Sequence, residues 1–150
     1  MGGVLVFGLL ALISASSINA ELDWWQTMSL YQIYPRSWMD SDGDGIGDLK
    51  GIESKISHIV DAGIDAFWLS PIYPSPMVDF GYDISNFVDV DPAYGTLADF
   101  ESLTTTAKSL GLKVVMDFVP NHSSDQHDWF VRSLAKEDPY TDYYIWHNGT

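Results

Sequence analysis

Asp40, Asp42, Asp44 and Asp48 stand at alternate positions of one short loop, with Ile46 completing the series and Gly43, Gly45 and Gly47 between them. Carboxylates held this close repel one another unless a cation sits among them. Four carboxylates and the carbonyl of Ile46 make the hard oxygen set that Ca²⁺ prefers, and the glycines let the chain curl around it. Two calcium architectures compete. An EF-hand counted from Asp40 needs a bidentate Glu at its twelfth position, where this chain has Gly51, and Glu53 comes too late. It also needs a helix before the loop, whereas Leu30, Tyr31, Gln32, Ile33 and Tyr34 read as a strand. A calcium site on a strand-to-helix turn is the expectation, and a solvated acidic turn without metal is the alternative.

Such a loop needs elements to hold it, and the chain reads strand, loop, helix three times over. Residues 29–34 are apolar and aromatic and end at Pro35. Leu49, Ile52, Ile56, Ile59 and Val60 fall at helical spacing over residues 49–62, with Gly63 as the C-terminal cap. Residues 65–69 form a short strand, and an irregular loop over 71–93 follows it. Thr96 is a good N-cap with Asp99 three residues on. Leu97, Phe100, Leu103, Ala107 and Leu110 form the expected buried stripe of the second helix, closed by Gly111. Residues 113–119 run almost wholly apolar, as in a fully buried parallel strand, and a further helix is expected near 129–136. This alternation with long βα loops implies parallel βαβ units whose loops share one end of the sheet. A barrel is preferred to a doubly wound sheet, because no glycine-rich phosphate turn follows the first strand.

Composition narrows the function classes. The net charge of −14 repels nucleic acid and anionic membranes and suits a neutral substrate or a cation. Residues 1–20 are apolar and free of charge, with small residues before Ala20, and read as a secretory signal peptide cut ahead of Glu21. There is no cysteine, so no disulfide staples the fold. Aromatic residues make up 14% of the chain, which suits stacking on pyranose rings or a large core equally well.

Further motifs sit after the expected strands. Gly81-Tyr82-Asp83-Ile84 lies in the loop after the second strand, and Asp117-Phe118-Val119-Pro120-Asn121-His122 closes the third. The latter is similar to the first signature region of the α-amylase superfamily of glycoside hydrolases. Together with the segment from Tyr31 to Trp38, the aspartate–glycine loop and the Gly81 motif, it resembles the α-glucosidase and oligo-1,6-glucosidase branch. Asp23-Trp24-Trp25 looks like the secreted insect maltases.

The resemblance implies the first three βα units of a (β/α)8 TIM barrel over 21–120. Residues 121–150 would open the small domain inserted after strand three. It implies that Asp83 hydrogen-bonds hydroxyls of a non-reducing-end glucose, that Tyr82 stacks beneath that ring, and that His122 binds its primary hydroxyl. Asp117 and Asn121 would brace the site, Asp117 by ordering an arginine. Asp40, Asp42, Asp44, Asp48 and the Ile46 carbonyl would hold one structural Ca²⁺, although the family usually has Asn where this chain has Asp42. The nucleophile and acid/base of a retaining mechanism would follow strands four and five, beyond Thr150. This chain alone is therefore expected to hydrolyse nothing, and three of eight βα units mark it as part of a longer secreted enzyme.

On the residues alone, a short carboxylate fits paired sugar hydroxyls, and an imidazole donates or accepts as needed. Bland readings stand beside these. Asp83 would serve as a turn residue, Tyr82 as core packing and His122 as a structural histidine. Asp117 in an apolar run is costly unless paired. An α-glucosidase acting on maltose, sucrose or short α-glucosides is the leading reading. An oligo-1,6-glucosidase, a sucrose isomerase and a non-catalytic calcium- or sugar-binding relative are the alternatives. Asn121 and Asn148 both begin glycosylation sequons, and Asn121 is expected unmodified if it lies in the site.

Overall fold

The computed structural model describes residues 22–147, so the signal peptide expected at 1–20 and the sequon at Asn148 lie outside the described residues. Three strands form one parallel sheet in the order β1 (Leu30–Ile33), β2 (Ala66–Leu69) and β3 (Lys113–Met116). The register sets Gln32 beside Trp68 and Trp68 beside Val115. Side chains alternate across a strand, so this register sorts the sheet into two faces. Ile33, Phe67 and Leu69 face the helices and join Leu49, Ile52, Ile59 and Leu103 in the core. Gln32, Trp68 and Ser70 fall on the opposite face, which is the polar one.

The helices follow the sequence with instructive departures. The expected helix over 49–62 is two helices, α2 (Leu49–Ser54) and α3 (Ile56–Asp61), counted after a short α1 at Trp24–Thr27. The break falls at Lys55, with φ −117° and ψ 11°. Just before it the Ser54 hydroxyl donates to the Gly51 carbonyl at 2.7 Å, a local bond that competes with the helical ladder. Leu49, Ile52, Ile56 and Ile59 are buried as expected, whereas Val60 is exposed.

Helix α4 (Leu97–Ser109) begins with the capping box anticipated at Thr96. The Asp99 N–H donates to the Thr96 hydroxyl at 3.2 Å, and the Thr96 N–H donates to the Asp99 carboxylate at 2.9 Å. Its buried stripe is shorter than expected. Leu103 and Ala107 are fully buried, Phe100 is half-buried, and Leu97 and Leu110 are exposed at the two ends, beyond the part that packs on α2. Glu53 fastens α2 to α4 by accepting from Ser102 at 3.0 Å and Thr106 at 2.6 Å.

Strand β3 is likewise less buried than its sequence suggests. It ends at Met116 rather than Val119, and Val114, Val115 and Met116 are only half-buried. Among the described residues helices cover one sheet face and β3 forms an edge. Beyond β3 the chain is irregular up to α5 (Asp128–Leu134), where a helix was expected near 129–136.

Candidate functional site

The long loops after β1, β2 and β3 all leave the C-terminal ends of the parallel strands. The first is the acidic loop. Gly43 and Gly45 take φ of 87° and 91°, conformations that L side chains avoid. Gly47 is needed for a different reason, since a Cβ there would lie 2.1 Å from the Pro35 carbonyl oxygen. A Cβ on Gly51 would lie 1.9 Å from the Met39 carbonyl oxygen. The residue that would complete an EF-hand is therefore one that only glycine can fill, and a short 3-10 turn at Pro35–Ser37, not a long helix, precedes the loop.

Carboxylate oxygens of Asp40, Asp42 and Asp48 lie within 4.8 Å of one another. Asp40 accepts from the N–H groups of Gly43 at 2.7 Å and Gly45 at 2.8 Å, and these hold its carboxyl below the ordinary value. Asp48 caps α2 through the Gly51 N–H at 2.7 Å and accepts from Ser41 at 2.8 Å. Burial alone would raise the Asp48 carboxyl, but those donors outweigh it and leave it below the ordinary value. Asp44 stands apart, turned back on the Ile46 N–H at 2.7 Å in a local Asx turn. The geometry thus gathers three of the four expected carboxylates. None of them is in an ion pair among the described residues, and an all-oxygen, anionic donor set fits a hard divalent cation.

The other expected residues converge between the loops after β2 and β3. Asp117 extends β3 on the polar face, and its Oδ2 accepts from the Trp68 indole and the Tyr82 hydroxyl, both at 3.2 Å. Its carbonyl accepts from the Tyr73 hydroxyl at 3.0 Å. These are the partners that a carboxylate in an apolar run requires, and they are aromatic donors; no arginine pairs with it among the described residues. Burial, and then the Asp117 charge, push the Tyr82 phenol above its ordinary value, so it stays a donor.

His122 is tied to the same dipeptide. The Tyr82 carbonyl can only accept, so the His122 Nε2–H donates to it at 3.0 Å, and Nδ1 accepts from the Asn121 amide at 3.1 Å. Both ring nitrogens are therefore occupied in this arrangement, and a primary hydroxyl at His122 would have to displace one of these partners. Asp83 is occupied as well. Its Oδ1 accepts from the Ser75 hydroxyl at 2.7 Å and the Asp79 N–H at 3.2 Å, and its Oδ2 from the Val78 N–H at 2.9 Å. Burial would raise this carboxyl, but the Ser75 and backbone donors hold it below the ordinary value. Three of about four lone-pair sites are filled, so one remains for a ligand hydroxyl rather than a pair.

Sequence reading missed several residues here. Ser75, Trp68 and Tyr73 carried no motif, although the need of Asp117 for donors, together with the register, would have pointed to Trp68. It also missed His127, a buried ring between Phe87 at 5.4 Å and Trp129 at 4.6 Å, whose Nδ1 accepts from the Trp129 N–H at 3.1 Å. Beside Asn121 and His122 a cavity of about 800 Å³ is bordered by Phe87, Trp129, Tyr143 and Tyr144.

Residues 32–150 match the catalytic domain of α-amylase. The chain belongs to the α-amylase family. Within it, this family member is 59% identical to maltase A2 of Drosophila melanogaster over 95% of its own length and 26% of the relative's. It is 54% identical to an α-glucosidase of Apis mellifera over 99% of its length and 27% of the relative's. Trehalulose synthase MutB from Pseudomonas mesoacidophila, also seen as a variant in complex with the substrate sucrose, superposes with a TM-score of 0.83 at 48% identity. That likeness covers 86% of this chain and 23% of MutB. The three parallel βα units are thus the N-terminal part of the family's TIM barrel. The chain spans about a quarter of the length of the curated relatives it matches.

Proposed function

We propose that this chain supplies the non-reducing-end glucose site of a secreted, retaining α-glucosidase that acts on maltose, sucrose or short α-glucosides. One observation carries the reading. The Tyr82–Asp83 dipeptide is clamped between the ends of β2 and β3, with Asp117 and His122 binding its phenol and carbonyl. That assembles a ring face, a carboxylate and an imidazole at the strand ends where such barrels do their chemistry. Tyr82 would stack under the glucose, Asp83 would accept one hydroxyl, His122 would meet the primary hydroxyl by releasing its Nε2–H from the Tyr82 carbonyl, and Asp117 with Asn121 would brace them. The relatives named maltase and α-glucosidase, and the sucrose-bound neighbour, support this substrate class.

Asp40, Asp42 and Asp48 would hold one structural Ca²⁺ at a distance from the sugar, with the Ile46 carbonyl and Asp44 completing the set once Asp44 turns. Secretion would follow from residues 1–20, and residues 121–150 would open the inserted domain. The same reading keeps Asn121 free of glycan, since its amide serves His122, and peptide mapping of the secreted protein checks that.

A retaining glycosidase needs two carboxyl groups about 5–5.5 Å apart as nucleophile and acid/base. Asp83 and Asp117 are engaged in holding the loops, so those roles would fall to other residues. The test is proton NMR of p-nitrophenyl α-glucoside hydrolysis by the whole protein, in which the only glucose released is the one bound at this site. Release of α-glucose first supports the proposal, whereas release of β-glucose first, or no hydrolysis of any α-glucoside, overturns it.

A further inference from the structure

We infer that Ser75 is a positioning residue of this site, the group that fixes the rotation of the Asp83 carboxylate and leaves one of its acceptor sites open to the substrate. The inference rests on the proposed sugar-binding role of Asp83.

A serine hydroxyl has a single proton. The Ser75 oxygen accepts from the Met77 N–H at 2.9 Å, so its own proton is directed to Asp83 Oδ1, at 2.7 Å. Its backbone is fixed independently. The Ser75 N–H donates to Asp91 at 3.2 Å, and the neighbouring Pro74 carbonyl accepts from the Ser85 N–H at 2.8 Å and the Ser85 hydroxyl at 2.9 Å. Pro76 further restricts the residue before it to extended conformations. Ser75 is thus held by the scaffold on both sides and presents a donor whose direction is set before any ligand arrives.

The other two donors to Asp83 come from a different kind of backbone. Val78 and Asp79 lie between Met77 and Phe80, whose φ values of 60° and 52° are left-handed, and Val78 and Phe80 are largely exposed. Non-glycine residues in that region are costly, the more so for a bulky side chain such as Phe80. Of the three donors, the Ser75 hydroxyl alone is anchored outside this strained turn. Without it, Asp83 would follow the turn rather than the sheet. Preorganisation of this kind is read in catalysis, since a misplaced recognition group weakens transition-state binding.

A double-mutant cycle in the whole enzyme tests this, with p-nitrophenyl α-glucoside as the probe. S75A is expected to lower kcat/KM about tenfold, the scale of one hydrogen bond to a charged group. It should have no further effect in a D83N background, because Ser75 acts through Asp83. S75C, which fills the same position with a larger, weakly donating thiol, carries the same comparison should S75A fold poorly, and the thermal midpoint of each variant separates folding from function. Wild-type kcat/KM in folded S75A or S75C overturns the inference. So does a loss of equal size in the D83N background, which would show that Ser75 acts elsewhere. Full activity of D83N itself instead removes the sugar-binding role of Asp83, and that outcome is distinct because it is read without any change at Ser75.

Discussion

At the scale of single residues, the acidic loop shows how much chemistry depends on what is not a ligand. Gly51 sits where an EF-hand would place its glutamate, and the Met39 carbonyl occupies the space of any side chain there. Gly51→Ala is expected to destabilise the protein by about 1–3 kcal/mol, the usual cost of forcing atoms into a packed site. Urea unfolding measures it, and an unchanged midpoint would mean that α2 is free to shift away from the loop. Asp48 is the complementary case, a cap and a candidate ligand in one carboxylate. Its carboxyl lies below its ordinary 3.8 in the folded protein, so its stabilising contribution is present above that pH and is lost as pH falls through the lowered folded value. The unfolding midpoint should therefore hold between neutrality and about pH 4 and fall below it. Asp48→Asn should flatten that acid limb, and an unaltered limb would assign the sensitivity to the other carboxyls held below their ordinary values, Asp40, Asp65, Asp83, Asp99 and Glu137.

At the scale of elements, a strand-to-helix loop that brings Asp40, Asp42 and Asp48 within 4.8 Å of one another carries a repulsion that a divalent cation would relieve. Removing Ca²⁺ with a chelator is expected to lower the thermal midpoint by several degrees, with recovery on adding Ca²⁺ back. Calorimetry that finds no difference with and without chelator would leave the loop as a solvated turn. The same scale shows what was legible in the sequence. Thr96 and Asp99 announced the start of α4 because a capping box is written in four adjacent residues. The acidic loop was legible for a similar reason, since its spacing carried it, whereas the roles of Tyr82, Asp83 and His122 rested on the resemblance to the α-glucosidase branch. The break at Lys55 was not legible, because apolar periodicity runs through it unchanged, and local bonds such as that of Ser54 to Gly51 are invisible to it. The exposure of β3 was not either, because an apolar run says what a strand tolerates and not what covers it. Asp117 was recognised as needing partners, but its aromatic donors come from β2 and the following loop, and only the register brings them near.

At the scale of the molecule, three βα units place two kinds of site at one end of a parallel sheet: an oxygen-rich loop after β1 and a clamp between the loops after β2 and β3. Both carboxylates of the clamp accept hydrogen bonds that organise loops, and on the proposed reading they recognise the sugar rather than cleave it. Residues 21–150 by themselves are therefore expected to release no glucose from maltose, and a coupled glucose assay on that purified segment checks it. The central claim is that this clamp holds the glucose that the whole enzyme releases. Its most direct test is kcat/KM for maltose of the whole protein with Asp83→Asn. The account predicts a fall of roughly 10²-fold, the upper range for one hydrogen bond to a charged group, in a variant that remains folded at the assay temperature. An unchanged kcat/KM in the folded variant would contradict it.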